Sequence, residues 1–263
     1  LGDGKLLSQM IKKIVINNFR QNDLENNGQG APLTPIFHQL ISDILSKKNK
    51  IQFPINIINI GGISNITQII KNDQTKSFDL NAFDIGPGNC LIDDWVRKNS
   101  NKQFDRNGDV AKSGKVDDFI YNQAIDNFSK NSYLQSQDIN DFDVSFVKGL
   151  SLENGCATLT KFSAYLISKG IEYINESNNS STKNLVCGGG RKNIFLIENI
   201  NKFLKPKNIY LENIDNYGLA GDFIESQGFA YLAIRSYLGL PISFPSTTGC
   251  KDPTKGGTYN KNF

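Results

Sequence analysis

The sequence predicts an α/β fold, and two patterns carry that prediction. Three strand-like apolar runs follow one another at 55–60, 64–70 and 77–85, with the first two joined by a double-glycine turn. Helix-like segments then alternate with two short strand-like runs at 185–187 and 208–211. Three consecutive strands followed by alternation of helices and strands favour an α/β fold.

The remaining elements are predicted in chain order from their apolar spacing and end signals. A helix at 5–11 and a strand at 13–17 come first, and Pro35 lies in the first turn of the next helix. That helix would pack through an apolar face made of Ile36, Phe37, Leu40, Ile41, Ile44 and Leu45. Asn89 is the expected N-cap of a helix that follows Gly88. Further helices are expected at 116–128, 154–175, 190–204 and 222–238, with a polar loop at 178–182.

Three glycine-rich turns each follow a strand-like run. They are Gly61-Gly62, Gly86-Pro87-Gly88-Asn89 and Gly188-Gly189-Gly190. Glycine permits positive φ and a close approach of the backbone, and it leaves N–H groups free to meet anionic oxygens. The turns therefore predict a cleft that holds phosphate or a nucleotide, although each alone is also typical of an ordinary tight turn. None fits the dinucleotide fingerprint or the Walker-type loop.

The order of elements is that of one lobe of the actin-like sugar kinase fold, in which two lobes close around ATP. In such a lobe the hairpin at 60–64 would donate to the β- and γ-phosphates. The turn at 188–190 would cap a helix whose N-terminus lies over the adenosine and α-phosphate.

Composition excludes several other classes of function. The 263 residues carry a net charge of +3 without a basic stripe, which argues against nucleic-acid binding. No apolar run approaches the length of a membrane span, and no signal peptide is evident. Four widely spaced cysteines are typical of reduced thiols in the cytoplasm, and a single histidine, His38, excludes histidine-rich metal sites.

Eight stretches resemble the bacterial anhydro-N-acetylmuramic acid kinases, in the order of that family. They are FRQNDLENNGQGAPLTPIFH, NIGGISNIT, FDIGPGNCLIDDW, FDRNGDVAKSGKVD, NGCATLTKFSA, LVCGGGRKN, DFIESQGFAYLAIR and LPISFPSTTGC. The resemblance implies a cytoplasmic phosphotransferase of cell-wall recycling that uses ATP and Mg²⁺. Its partner would be a small amino sugar, whose 1,6-anhydro ring is hydrolysed as its 6-oxygen is phosphorylated.

The resemblance also implies roles for individual residues. Asp23 matches the acidic position of the family's Phe-Arg-x-x-Asp run and would be the general base that activates water. Arg20, Asp84 and Glu225 would bind substrate. The ATP site would comprise Gly61, Gly62, Gly86, Gly88, Asn89, Gly188, Gly189 and Gly190. His38 is equally compatible with a core role and with substrate contact.

The resemblance divides the chain at about residue 50. Residues 1–50 would end the N-terminal lobe and carry the loop of the base, and residues 51–263 would form the C-terminal lobe. The family's N-terminal Ser-Gly-Thr-Ser-x-Asp-Gly loop is absent from this sequence, so we expect the chain by itself to be inactive. Another actin-like sugar kinase and a non-catalytic sugar sensor remain alternatives, and a homodimer is the assembly to test.

Overall fold

The computed structural model describes residues 2–128, 138–176 and 182–263. Its strands are β1 (Val15–Asn17), β2 (Ile55–Ile60), β3 (Ile63–Lys71), β4 (Phe78–Pro87), β5 (Lys183–Cys187), β6 (Leu211–Asn213) and β7 (Thr258–Asn260). Its α-helices are α1 (Gly4–Ile11), α2 (Gln21–Glu25), α3 (Pro35–Asn49), α4 (Cys90–Asn99), α5 (Asp109–Ser113), α6 (Asp118–Phe128), α7 (Leu152–Glu176), α8 (Ile194–Leu204), α9 (Ile224–Tyr237) and α10 (Pro245–Thr248).

Five strands form one mixed sheet in the order β4-β3-β2-β5-β6. β2, β3 and β4 are antiparallel neighbours, whereas β5 and β6 run parallel to β2. Since β2 and β5 are parallel, their carboxyl ends meet at one edge, and the turns that follow them lie side by side. The predicted strands at 55–60, 64–70, 77–85 and 185–187 are confirmed to within a few residues.

Helices cover both faces of the sheet. On one face α7 and α8 bury Ile167, Ile171 and Leu196 in a cluster with Ile58 and Ile85 of the strands. A side chain at Gly170 would collide with Ile85, since its Cβ would lie 2.4 Å from the Cγ2 atom of that residue. The glycine therefore lets α7 approach β4 closely.

The other face is covered by α3. Ile36, Phe37 and Ile41 of α3 share a hydrophobic cluster with Ile55 and Ile57 of β2, so residues on both sides of position 50 build one core. Whether 1–50 belongs to a separate N-terminal lobe remains a prediction. A third cluster lies under α4, where the Trp95 indole donates to the carbonyl oxygen of Leu152 at 3.1 Å.

Some sequence-based assignments need correction. Leu40 and Ile44 are 36% and 46% exposed, so the buried stripe of α3 is narrower than predicted. The strand predicted at 208–211 forms at Leu211–Asn213, because a 3₁₀ turn occupies Lys205–Lys207 and Asn208 adopts the left-handed conformation. β7, which pairs with β1, was not predicted.

Two further expectations from the sequence concern a polar loop and the absence of a membrane span. The polar loop predicted at 178–182 lies outside the described residues except for Thr182. None of the helices in the described parts of the chain is both long and apolar enough to cross a membrane.

Candidate active site

Two of the glycine turns are joined by backbone hydrogen bonds. Gly88 N–H donates to the Gly62 carbonyl at 2.8 Å, and Asn89 N–H donates to the Gly61 carbonyl at 2.9 Å. A Cβ at Gly88 would lie 2.3 Å from that Gly61 oxygen, so this position has no room for a side chain. The N–H groups of Gly88 and Asn89 are thus used within the fold and do not point at a ligand.

The third turn packs against the end of β2. Gly188 has a φ of +82°, and a Cβ there would lie 2.4 Å from Asn59 Oδ1 and 2.6 Å from the Ile60 carbonyl oxygen. A Cβ at Gly190 would lie 2.2 Å from Ile60 Cγ2. The three turns therefore meet at one edge of the sheet, as the sequence predicted, and Gly188 and Gly190 are required for that close packing.

The helix after the third turn begins later than predicted. Gly189–Lys192 forms a 3₁₀ turn, and α8 begins at Ile194, where the Asn193 side chain accepts from Leu196 N–H at 3.1 Å. Asn193 Nδ2 also donates to Asn89 Oδ1 at 3.2 Å. Asn89 precedes α4 but does not cap it through its side chain; it links the two turns instead.

Other glycines have no structural reason to be glycine. Gly61 and Gly189 have negative φ; a Cβ at Gly189 would meet no atom within 4 Å, and one at Gly61 would meet only the Ile63 oxygen at 3.4 Å. Gly62 is similar, with only the Ile139 Cδ1 atom closer than 3.4 Å, at 3.3 Å. Positive φ, the property that suggested these turns, is absent at Gly61, Gly62 and Gly189. Open space in front of the backbone remains at Gly61 and Gly189, whereas Ile139 lies in front of Gly62.

A cavity of about 550 Å³ lies beside these turns. It is lined by Asn89, Asp93, Phe104, Asp105, Arg106, Asn107, Gly189, Lys192, Asn193 and Asp222. The Arg191 guanidinium is ion-paired with Asp215 and Asp222 at 3.0 and 2.6 Å, and Lys192 pairs with Asp222 at 2.5 Å. Hydrogen bonds from Arg191 and Lys192 lower the pKa of Asp222 to about 2.

One carboxyl group of this cavity has a raised pKa. Burial raises the pKa of Asp93 to about 6, against the opposing effect of Arg97. Asp105, beside it, accepts hydrogen bonds from Val110 N–H and Ala111 N–H at 2.8 and 2.9 Å, and serves the turn that begins α5.

A second cavity, of about 710 Å³, lies along β4, the edge strand of the sheet. It is lined by Gln29, Pro32, Gln68, Asn81, Ala82, Phe83, Asp84, Tyr173, Ile174, Glu176, Pro245, Ser246, Thr247, Thr248 and Gly249. Asp84, the one aspartate among these lining residues, is 6% exposed. Asn89 at the other cavity follows Asp84 by five positions, a distance of roughly 17 Å at most in extended chain.

Asp23 lies behind the wall of the second cavity. It is 1% exposed; its Oδ1 accepts from the Thr248 hydroxyl at 2.6 Å and its Oδ2 from Gly30 N–H at 2.7 Å. A Cβ at Gly28 would lie 2.1 Å from Oδ2, so the glycine makes room for the carboxylate. Two of the residues in contact with this loop, Gln29 and Thr248, line the cavity.

The other residues predicted to contact substrate do not line either cavity. Arg20 and Glu225 are exposed, and neither lines the two cavities. His38 is a core residue: its Nδ1 lies 2.8 Å from Thr67 Oγ1, and burial lowers its pKa to about 3. Sequence reasoning gave no role to Thr248, although it lies in the STTG stretch of a quoted motif.

Comparisons with known proteins agree on one family. The family model described as anhydro-N-acetylmuramic acid kinase matches residues 1–261. The anhydro-N-acetylmuramic acid kinase of Pelagibacter ubique is 54% identical over 267 residues, which is all of this chain and 69% of that protein. Those of Rhodospirillum rubrum and Zymomonas mobilis are 36% and 37% identical over 98% of this chain and 65% and 66% of theirs.

One solved structure resembles part of this chain in its fold. It is the activator of the 2-hydroxyisocaproyl-CoA dehydratase from Clostridium difficile with bound ADPNP, with a TM-score of 0.40 and 12% identity over 72% of this chain and 64% of that one. The chain spans about two thirds of the length of the three curated relatives. By its match over 261 residues and its identity to these relatives, the chain belongs to the anhydro-N-acetylmuramic acid kinase family.

Proposed function

We propose that this protein phosphorylates anhydro-N-acetylmuramic acid with ATP and water, and so forms N-acetylmuramic acid 6-phosphate in the recycling of cell-wall fragments. Family membership supports the reaction. The observation that carries the proposal is a pair of cavities near β4: Asp84 of the strand lines one, and Asn89 and Gly189 of the glycine turns line the other. This arrangement suits a reaction in which a sugar and a triphosphate must meet.

Asp23 is the proposed general base. A water molecule beside its carboxylate attacks the anomeric carbon, the bond from that carbon to the bridging oxygen breaks, and the water proton passes to Asp23. The freed 6-oxygen attacks the γ-phosphorus in line, and ADP leaves. Asp84, which faces the same cavity, would hold sugar hydroxyls, and Arg20 and Glu225 are proposed to contact substrate from the rim.

The glycine turns are proposed to hold ATP in two different ways. Gly61 and Gly189 leave space where a side chain would obstruct the phosphates or the nucleoside, and Gly62 is proposed to contribute as part of the same turn as Gly61. Gly88, Gly188 and Gly190 act indirectly, because they let the turns pack together, and Gly86 acts indirectly by letting β4 approach Leu166 of α7. The Asn89 side chain, bonded to Asn193, holds two of the turns at a fixed spacing.

Mg²⁺ fits this donor set. In the described parts of the chain no three His, Cys, Asp or Glu side chains are grouped as a metal site. Mg²⁺ in kinases is typically held by substrate phosphates, water and one or two carboxylates, and Asp84 is the proposed protein ligand. Bound there, Mg²⁺ would neutralise charge on the phosphates.

Location and assembly are proposed on weaker grounds. Cys90, Cys156, Cys187 and Cys250 are all free and buried, which suits the reducing cytoplasm where ATP is available. A homodimer remains a prediction that light scattering on the purified protein would test.

The test uses the extended enzyme, by which we mean this chain completed to the length of its curated relatives. Turnover of the anhydro-sugar with ATP in oxygen-18 water should place one labelled atom on the anomeric carbon and none in the phosphate. Asp23→Asn should lower kcat by at least 10²-fold and leave ATP binding intact, because an amide cannot accept the proton. Asp43→Asn is the matched control, because the Asp43 carboxylate of α3 pairs with Lys47 and Lys71 and lines neither cavity.

The alternatives give different results in the same experiment. A kinase that acts on an ordinary sugar hydroxyl would put no label on carbon, and a sensor would bind the sugar without turnover. Asp23→Asn activity within about threefold of wild type would refute the assignment of the base.

A further inference from the structure

The short helix α10 holds the carboxylate of Asp23. Thr248 ends this helix, is 1% exposed, and places its hydroxyl 2.6 Å from Asp23 Oδ1. The same oxygen atom of Thr248 lies 3.4 Å from the Phe244 carbonyl, a longer and weaker contact. A hydroxyl has one proton to donate, and the distances assign it to the carboxylate.

The contact is part of a wider junction between two distant segments. Gln29 N–H donates to the Thr248 carbonyl at 2.8 Å, and Lys251 N–H donates to the Asn26 carbonyl at 3.0 Å. These bonds join the loop after α2 to residues more than 200 positions later in the chain. The orientation of Asp23 therefore depends on a segment that sequence reasoning left without a role.

Both oxygens of the carboxylate are held. Gly30 N–H fixes Oδ2 at 2.7 Å, and the absence of a side chain at Gly28 leaves the space that Oδ2 occupies. The Thr248 hydroxyl fixes Oδ1, so rotation about the last side-chain bond would break one hydrogen bond or the other. The unused lone pairs then point in one defined direction, which is what a base that must meet a single water molecule requires.

We propose that Thr248 is a positioning residue for the reaction: its buried hydroxyl fixes the Asp23 carboxylate in the orientation that accepts the proton of the attacking water. This inference rests on the proposed function of Asp23. It gives α10 a role in the chemical step, in addition to its place in the wall of the second cavity.

The experiment compares Thr248→Val, which keeps the shape and removes the hydroxyl, with Thr248→Ser, which keeps the hydroxyl. Thr254→Val is the matched control, since Thr254 is a buried threonine of the same segment whose hydroxyl donates only to the Asp252 carbonyl at 2.7 Å. Steady-state kinetics and thermal unfolding are measured for each variant of the extended enzyme. Gly28→Ala displaces the same carboxylate from the other side and is an independent second variant.

We expect Thr248→Val to lower kcat about 10- to 100-fold with the KM for ATP within about twofold of wild type. Thr248→Ser should restore kcat to within about threefold, and Thr254→Val should leave it unchanged. Wild-type kcat in Thr248→Val would overturn the proposal. The proposal would also be overturned if Thr254→Val and Thr248→Val lowered the melting temperature equally and lost the same activity.

A failure of the proposed function gives a different result. In that case the wild-type enzyme does not phosphorylate the anhydro-sugar, and a crystal structure of Thr248→Val decides the positioning role by itself. A carboxylate turned away from its wild-type direction would support it, and an unchanged carboxylate would overturn it.

Discussion

Neighbouring glycines of the third turn should respond in opposite ways to the same substitution. Gly188→Ala places a methyl group 2.4 Å from Asn59 Oδ1 and 2.6 Å from a backbone oxygen, at a φ of +82°. With a ψ of 171°, this backbone conformation is essentially restricted to glycine and costs about 1–3 kcal/mol for a residue with a Cβ, and the collision adds about 1–3 kcal/mol of overpacking. We expect Gly188→Ala to lower the free energy of unfolding by roughly 2–6 kcal/mol.

Gly189→Ala should not destabilise the protein. Its φ is negative and no atom lies within 4 Å of the added Cβ, so the loss of unfolded-state entropy stabilises the fold by about 0.4–1 kcal/mol. Gly61→Ala, with one contact at 3.4 Å, should be close to neutral. If the space in front of these two residues belongs to the nucleotide, both variants should bind ATP at least several-fold more weakly than wild type.

Urea unfolding and calorimetric titration with ATP separate the two effects. Gly188→Ala should show a lower unfolding midpoint, and Gly61→Ala and Gly189→Ala should show weaker ATP binding at unchanged or higher stability. Gly239→Ala, which has positive φ and lies far along the chain from these turns, controls for backbone strain alone. If Gly61→Ala and Gly189→Ala bound ATP as wild type does, the assignment of these glycines to the nucleotide site would be wrong.

Four further predictions concern charged and titratable side chains. Asp84→Asn in the extended enzyme should raise the KM for the sugar about tenfold or more, since a hydrogen bond to a charged group is worth about 1.5–3 kcal/mol; an unchanged KM would remove Asp84 from the site. Arg20→Ala should leave the melting temperature unchanged, because the exposed guanidinium makes no hydrogen bond or ion pair with the described residues, and should weaken sugar binding in calorimetry. His38, whose pKa falls to about 3, stays neutral in the fold, so its contribution to stability is complete above pH 6.5 and is lost as the pH falls towards 3. His38→Gln should therefore flatten the acid side of a melting-temperature profile. Asp93, whose pKa rises to about 6, has the opposite pH dependence: its contribution to stability is complete below pH 3.8 and is lost as the pH rises through 6. The melting temperature of Asp93→Asn should therefore exceed that of wild type by more at pH 8 than at pH 4.

Local pattern was sufficient to predict most of the fold. The strands at Ile55–Ile60 and Lys183–Cys187 are dominated by β-branched and apolar residues that are buried on both faces, and such runs are recognisable without tertiary information. Helix α7 was predicted within two residues at each end. The convergence of the three turns was also predicted, from the position of each turn after a strand-like run, and the parallel pairing of β2 with β5 is one reason for it.

What the sequence could not show depends on contacts between distant residues. Tertiary packing decides that the N–H groups of Gly88 and Asn89 bond to carbonyls of the hairpin. It also decides at which positions a side chain would collide with its neighbours, so that only glycine fits. The bond from Thr248 to Asp23 joins residues 225 positions apart, and no local signal marks it. The exposure of Leu40 similarly reflects what lies opposite α3 rather than its helical period.

In the proposed reaction, the edge strand β4 would relate the sugar half-site to the nucleotide half-site. A register shift between Ser64 and Asn65 leaves Ile85 as an extra residue between two paired positions, Asp84 and Gly86. Ile85 is fully buried against α7, so the bulge anchors the strand at the point where it turns from one cavity towards the other. Asp84 and the turn at Gly88 are therefore fixed on the same rigid element. Because in-line transfer tolerates little error in the distance between the attacking oxygen and phosphorus, a single strand that sets both half-sites is a physical reason for the chemistry to be located here.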